Sequence, residues 1–263
     1  MGGDTVRSYR GLEEGFKVKI ALLGASGFVG SKILAEALGR GHVVTAISRT
    51  PEKLPKHANL RPAKATVPNV NELTEHFRGQ DAIIHSYAPP YDPDVRPLVL
   101  AAIANGSGME AITRYVPRDP AKHEAHVKGR IEAQTQGTRA IIDAAKAARV
   151  KRLLAVGGAG TLLVNGVRVM DSPKLPKAFE GGAKSTAVIK ELLMREAELE
   201  WTVLCPPMSI EPGQRTGRFR LGLDDLLVAA DGSSSISLED FAMAVIDELE
   251  NPKHTRRRFT VGY

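Results

Sequence analysis

The chain has 263 residues, 43% of them hydrophobic, and a formal net charge of +6, which suits one α/β domain with a full core and a small appended lobe. The single cysteine excludes an internal disulfide framework and fits a reducing, cytoplasmic setting. No apolar run approaches the ~20 residues of a membrane span, the start lacks the apolar stretch of a signal peptide, and the basic residues are scattered apart from Arg256–Arg258, so neither membrane nor nucleic acid is expected as a partner.

Residues 1–16 are polar and aperiodic and read as a mobile arm; a single domain is expected over 17–263. Lys17 to Gly30 reads KVKIALLGASGFVG. Val18, Ile20, Leu22 and Leu23 suit a buried parallel strand. Phe28 to Arg40 follows with apolar residues at helical spacing. Between them stand Gly24, Gly27 and Gly30. A strand, a glycine turn and a helix are the context a dinucleotide-binding turn requires. One glycine lets the chain turn, one leaves room for a pyrophosphate, and one lets helix and strand pack closely. The helix N-terminus then offers unpaired N–H groups and a positive dipole end to the phosphates.

His42–Ser48 is the second predicted strand, followed by Arg49-Thr50-Pro51. An acidic residue there would favour NAD(H) through the ribose hydroxyls. Arg49 instead suits a 2′-phosphate, so NADP(H) is favoured. Further along, Asn59–Thr66 reads as a strand, Asn71–Phe77 as a helix and Asp81–Ser86 as a strand. Tyr87 to Pro93 holds three prolines and is expected to be an irregular loop at the ligand-binding edge. Leu98–Ala104 looks helical, Asn105–Gly108 breaks it, and Glu110–Tyr115 is ambiguous. Ala121–Arg149 reads as one long helix or two, and residues 96–136 as an insertion. Val150–Val156 is the fifth strand, ending in Gly157-Gly158-Ala159-Gly160, whose small residues permit close approach of a ligand. Thr161–Phe179 is a loop with a hairpin at Asn165-Gly166. Ala183–Glu198 is a helix, and Trp201–Cys205 a strand before Pro206-Pro207. A small hairpin is expected around Asp231-Gly232. Ser237 caps a helix over Leu238–Glu250, and Phe259–Tyr263 forms a last strand.

With these segments laid out, the chain resembles the atypical short-chain dehydrogenase/reductases. It is most similar to NADH-flavin reductase-like members, relatives of biliverdin-IXβ reductase and of the NmrA-like regulators. The likeness rests on KIALLGASGFVGSKI, ISRTPEKL, DAIIHSYAPP, KRLLAVGGAGTL, LEWTVLCPP, IEPGQRTGRFRLG and the tail from Ile236. It implies a Rossmann-like doubly wound parallel sheet with helices on both faces and a small C-terminal substrate lobe. It also implies that Gly24, Ala25, Ser26, Gly27, Phe28, Val29 and Gly30 hold the pyrophosphate and that Arg49 meets the 2′-phosphate. Ser86, Tyr87 and Ala88 would flank the ribose and pyrophosphate. Gly157, Gly158, Pro206 and Met208 would lie near the nicotinamide. Thr66 stands with Ala65 where relatives often carry an acidic residue beside the adenine. The likeness does not extend to residues 96–136, which leaves the shape of the substrate site there open.

The usual Tyr-x-x-x-Lys pair, in which the lysine lowers the tyrosine pKa, is missing. The candidate lysines give Glu180-x-x-x-Lys184 and Thr186-x-x-x-Lys190, and no tyrosine stands between Tyr115 and Tyr263. Tyr87 and Tyr91 are the nearest candidate proton donors. The expected activity is hydride transfer from NADP(H) to a small aromatic, quinone or flavin-like acceptor, with flavin itself a candidate substrate. The alternatives are a non-catalytic NADP-sensing regulator and an epimerase, dehydratase or lyase that borrows the cofactor. His123 and His126 share a helix face but lack a third ligand, so no metal is expected. Cys205 reads as a buried thiol and His85 as a packed histidine. The expected state is a monomer or homodimer with a small-molecule substrate.

Overall fold

The computed structural model describes residues 17–98, 101, 112 and 114–263. The expected N-terminal arm, the Asn105–Gly108 break, most of the Leu98–Ala104 segment and half of the Glu110–Tyr115 segment lie outside these residues.

An eight-stranded sheet carries the structure. Its strands are β1 (Lys19–Leu23), β2 (Val43–Ser48), β3 (Leu60–Lys64), β4 (Ala82–His85), β5 (Arg152–Val156), β8 (Glu200–Cys205), β10 (Arg220–Gly222) and β12 (Arg257–Gly262). The short strands β6 (Leu163–Val164) and β7 (Val167–Arg168) form the hairpin expected at Asn165-Gly166, where both turn residues have positive φ. A second small sheet pairs β9 (Ser209–Glu211) with β11 (Ser235–Ser237). The main sheet runs β3-β2-β1-β4-β5-β8-β12-β10, parallel throughout except for the β10–β12 pair. The order reverses between β1 and β4. A doubly wound sheet opens its ligand crevice at such a switch point.

Among the described residues, five α-helices cover the sheet: α1 (Phe28–Gly39), α2 (Val70–Phe77), α3 (Pro120–Ala147), α4 (Lys177–Leu193) and α5 (Leu238–Glu250). Successive residues of β1 point to opposite faces, as the pleat requires. Ile20 and Leu22 pack with Ile33 and Leu34 of α1 and Phe241 and Val245 of α5. Ala21 and Leu23 pack on the other side with Leu73 and Phe77 of α2, Ile141 of α3 and Ile189 of α4. The near-continuous apolar run of β1 is thus a strand buried on both faces.

The tail closes the molecule. β12 lies inside the sheet between β8 and β10. Arg258 is buried and paired with Asp224. The last helix, α5, begins at the expected cap, where Ser237 Oγ accepts from Asp240 N at 3.0 Å. It packs along α1, and an ion-pair cluster locks the two together. Arg40 lies 2.7 Å from Glu36, 2.8 Å from Asp247 and 2.7 Å from Glu250. His42 Nε2 reaches Glu250 at 3.0 Å, and Arg215 reaches Glu36 at 2.8 Å.

The segment read as one helix or two, Ala121–Arg149, is one: α3 runs unbroken from Pro120 to Ala147. Two expectations change. No hairpin forms around Asp231-Gly232. The turn exists, with Gly232 at φ +85°, but β11 then pairs in parallel with the distant β9. A tight turn fixes chain direction locally, while the partner of the following strand is a tertiary choice. Finally, α4 starts at Lys177 and ends at Leu193. Gly181 and Gly182, poor helix formers, hide its first turns from a propensity reading.

Candidate functional site

The three turn glycines do different things. Gly24 has φ +77°, and a Cβ there would stand 2.3 Å from the Ser86 carbonyl oxygen at the end of β4. A Cβ on Gly30 would stand 2.1 Å from Gly24 O. These two positions are glycine because β1, β4 and α1 converge. Gly27 is exposed, has φ −80° and ψ 174°, and caps α1 with no side-chain hydrogen bond. No acidic side chain sits in the first turn. The first N–H groups of α1 therefore face outward uncapped, with the helix dipole behind them. Ala25 is buried beneath the turn; Phe28 and Val29 are half-buried.

The neighbouring strand ends gather around this turn. Ser26 Oγ and Ser48 Oγ lie 3.1 Å apart, and Ser48 Oγ also accepts from Thr50 N at 3.1 Å. That pins the end of β2, and so the exposed Arg49, beside the glycine turn. Thr66, past β3, is exposed, and its N–H donates to Glu72 at 2.9 Å. Ser86 N donates to Leu23 O at 3.1 Å, and Ala88 is exposed.

Tyr87 is half-buried and rests on Gly137 of α3, where a Cβ would stand 2.6 Å from the ring. Burial pushes its phenol up, while the guanidinium groups of Arg49 and Arg130 act against that rise. His85 anchors the loop from below. Its Nδ1 accepts from Tyr87 N at 3.3 Å, so Nε2 carries the proton toward Thr138 Oγ1 at 3.2 Å. Full burial lowers the histidine pKa to about 4, so His85 is a neutral packing residue.

Tyr91 is 40% exposed and covers a residue that the sequence reading passed over. Arg130 of α3 is 5% exposed, and its guanidinium carbon lies 4.4 Å from the Tyr91 ring centroid. Its signal was a helical one. Arg130, Gln134 and Thr138 continue, at four-residue spacing, the same face that buries Ile141 and Ala145. An apolar stripe that turns polar toward the helix start marks a helix leaving the sheet to line a crevice.

The small residues after β5, expected to admit a ligand, also have a packing reason within the chain. Added Cβ atoms would meet Cys205 Sγ at 2.7 Å from Gly157, Thr186 Oγ1 at 2.2 Å from Gly158, and Ala183 Cβ at 2.8 Å from Gly160. Cys205 is 1% exposed, its thiol pushed up by burial. Pro206 is half-buried and Met208 is 43% exposed, facing out beyond β8. Lys184 pairs with Glu180 at 2.6 Å, and Thr186 bonds back to Gly182 O at 2.9 Å. Neither replaces the missing tyrosine. His123 is buried between Asp92 and Glu180, 3.8 Å from each. Among the described residues, no group of three or more metal-ligating side chains could hold a metal ion, and no helix is long and apolar enough to cross a membrane.

A family model described as NAD(P)H-binding matches residues 24–252. The YwnB protein of Bacillus subtilis strain 168 is 35% identical over 248 residues, covering 93% of this chain and 98% of that one. A Bacteroides thetaiotaomicron structure named a "putative epimerase" is 39% identical, with a TM-score of 0.75 and coverage of 94% and 98%. A Streptococcus pneumoniae structure named a "putative NADH-flavin reductase" is 27% identical, with a TM-score of 0.66 and coverage of 93% and 99%.

Proposed function

The chain belongs to the NAD(P)H-binding family, and from that premise we propose that it is an NADP(H)-dependent reductase. Hydride would pass to a small aromatic, quinone or flavin-like acceptor at the carboxyl edge of the sheet. One observation carries the reading: an uncapped, acid-free helix start at the β1/β4 switch point, with Gly27 open and Arg49 held beside it.

The residues fit a dinucleotide phosphate. The N–H groups at the start of α1 take the pyrophosphate, with Gly24 to Gly30 offering bare main chain. Arg49 takes the 2′-phosphate through a two-pronged guanidinium contact, which favours NADP(H) over NAD(H). Thr66 borders the adenine, Ser86 and Ala88 flank the ribose, and Gly157, Gly158, Pro206 and Met208 lie on the nicotinamide side. When bound, the reduced nicotinamide supplies the hydride. The chain's task is to hold the acceptor over it and exclude water.

Proton supply is weak in this site. The Thr186-x-x-x-Lys190 segment offers no phenol, and burial raises the Tyr87 phenol rather than lowering it. An acceptor that takes hydride with little acid assistance suits such a pocket. Tyr87, and at longer reach Tyr91, are the groups placed to give a proton.

The 39% identity to a structure named a "putative epimerase" favours a second reading, in which the nucleotide is oxidised and restored within one turnover. Stopped-flow absorbance at the reduced-nicotinamide band, against flavin, quinone and carbonyl panels, separates the readings. Net NADPH loss with one class supports the reductase. Product without net loss supports the epimerase. Nucleotide binding with no chemistry on any panel leaves a sensor of the NmrA kind.

A further inference from the structure

We propose that Arg130 is the anion-reading residue of the acceptor subsite and that the acceptor carries an oxyanion group, a carboxylate or a phosphate, on a flat ring system. The proposal rests on the reductase reading for the location of the acceptor, but its charge argument stands on the geometry alone.

The other buried arginines among the described residues have acidic partners. Arg152 faces Glu248 at 3.2 Å, Arg258 pairs with Asp224, and Arg40 meets Glu36, Asp247 and Glu250. Arg130 differs. Among the described residues it has only neutral neighbours: Nε donates to Ser185 Oγ at 3.2 Å and Nη1 to the Pro89 carbonyl at 2.5 Å. The Tyr91 ring covers one face. Nη2 has no acceptor among the described residues. A guanidinium held out of water without a counter-charge is costly to keep. Burial accordingly works against its charge. A chain that retains such a group has placed a cation where an anion can come to it.

The position agrees. Thr138 of α3 touches His85 at the end of β4. Arg130 lies eight residues earlier, about 12 Å farther along the helix by its rise. It therefore stands above the carboxyl edge, tied to the loop after β4 through Pro89 and to α4 through Ser185. Between them Gln134 is fully buried and donates to Thr138 Oγ1 at 3.1 Å, with its amide oxygen unpartnered. The same face thus carries a buried cation and, one turn below it, a sealed amide. The rings of Tyr87 and Tyr91 provide flat walls beside them, which suits an aromatic acceptor bearing the anion.

The test is calorimetric titration of the full-length protein, with and without NADP+. The probes are anthraquinone-2-carboxylate against its uncharged carboxamide, and FMN against riboflavin. The wild type is expected to bind at least one charged member roughly ten- to hundredfold more tightly than its neutral counterpart, the span of a charge-assisted hydrogen bond. The first pair responding identifies a carboxylate, the second a phosphate. Arg130→Met is expected to erase the difference while leaving the neutral probe and NADPH affinity unchanged. Arg130→Lys keeps the charge and is expected to retain part of the discrimination. Equal affinity of wild type for charged and neutral members of both pairs overturns the proposal. So does an equal loss for both members in Arg130→Met and Arg130→Lys, which would mark a role confined to holding the Pro89 loop on α4. Because binding is the readout, failure to turn over any acceptor counts against the reductase reading and leaves this outcome distinct.

Discussion

Replacing Gly24, Gly27 and Gly30 singly by alanine separates what the glycine turn does for the fold from what it does for a nucleotide. At Gly24 the backbone is left-handed, φ +77°, and the added Cβ would stand 2.3 Å from the Ser86 carbonyl oxygen, more than 1 Å inside the 3.4 Å at which ordinary contact begins. The backbone conformation costs about 1–2 kcal/mol. An overlap with main chain, which cannot rotate away, adds about 1–3 kcal/mol. At roughly 2–4 °C per kcal/mol for a domain of this size, Gly24→Ala lowers Tm by about 5–15 °C. Gly30→Ala behaves similarly, because its Cβ would meet Gly24 O at 2.1 Å and push α1 off β1. Gly27 has an ordinary extended backbone, and its Cβ would stand 3.0 Å from Gly24 O. The few tenths of an ångström it requires cost under about 1 kcal/mol, offset in part by the stiffer unfolded chain. Gly27→Ala therefore shifts Tm by less than about 4 °C. Gly27→Val keeps the fold but stands over the first N–H groups of α1. Losing two charge-assisted bonds at about 1.5–3 kcal/mol each weakens NADPH by more than about a hundredfold. Differential scanning fluorimetry and calorimetric titration read the two columns separately. Wild-type NADPH affinity in Gly27→Val, or an unchanged Tm in Gly24→Ala, refutes the reasoning.

Arg49→Gln is expected to weaken NADPH roughly tenfold or more and leave NADH unaffected, since only the former carries the 2′-phosphate; equal losses for the two nucleotides count against the assigned role. Tyr87→Phe keeps the ring on Gly137, so cofactor affinity and Tm hold. Single-turnover hydride transfer falls only if this phenol gives the proton. The α1–α5 cluster predicts an acid limit. Burial acts to raise the carboxyl pKa of Glu36, but hydrogen bonds from Arg215 and Arg40 hold it below 4.5. Glu250 is held down in the same way by His42 and Arg40. A group whose folded pKa is lowered stabilises the protein above the unfolded value and loses that contribution as pH falls through the folded one. Tm is therefore expected to drop as pH is taken below about 4.5, and Glu36→Gln, already weaker at neutral pH, is expected to lose less over that interval.

Much of the fold was legible because local chemistry and global packing agree in it. β1 announced itself by residues that suit two buried faces, α1 by its period, and α5 by Ser237 three residues before Asp240. The Asn165-Gly166 hairpin followed from a turn that only certain residues accept. What escaped was decided at long range. Nothing near Asp231 says that β11 will choose β9, and the glycines of α4 conceal its start. The cofactor turn was readable because its glycines answer a backbone demand. Even so, the sequence could not tell that Gly157, Gly158 and Gly160 answer to Cys205, Thr186 and Ala183. Arg130 was missed because an arginine in an amphipathic helix ordinarily faces water. Only its alignment with Ile141 betrayed it, and that alignment required α3 to be one helix rather than two.

The cluster around Arg40 has a bearing on biosynthesis. The first helix of the cofactor turn finds its companion, through Asp247 and Glu250, only 207 and 210 residues later. A ribosome must therefore translate the intervening residues before α5 can cover the part of α1 that β1 leaves open. The contact between the two helices cannot form until α5 has emerged.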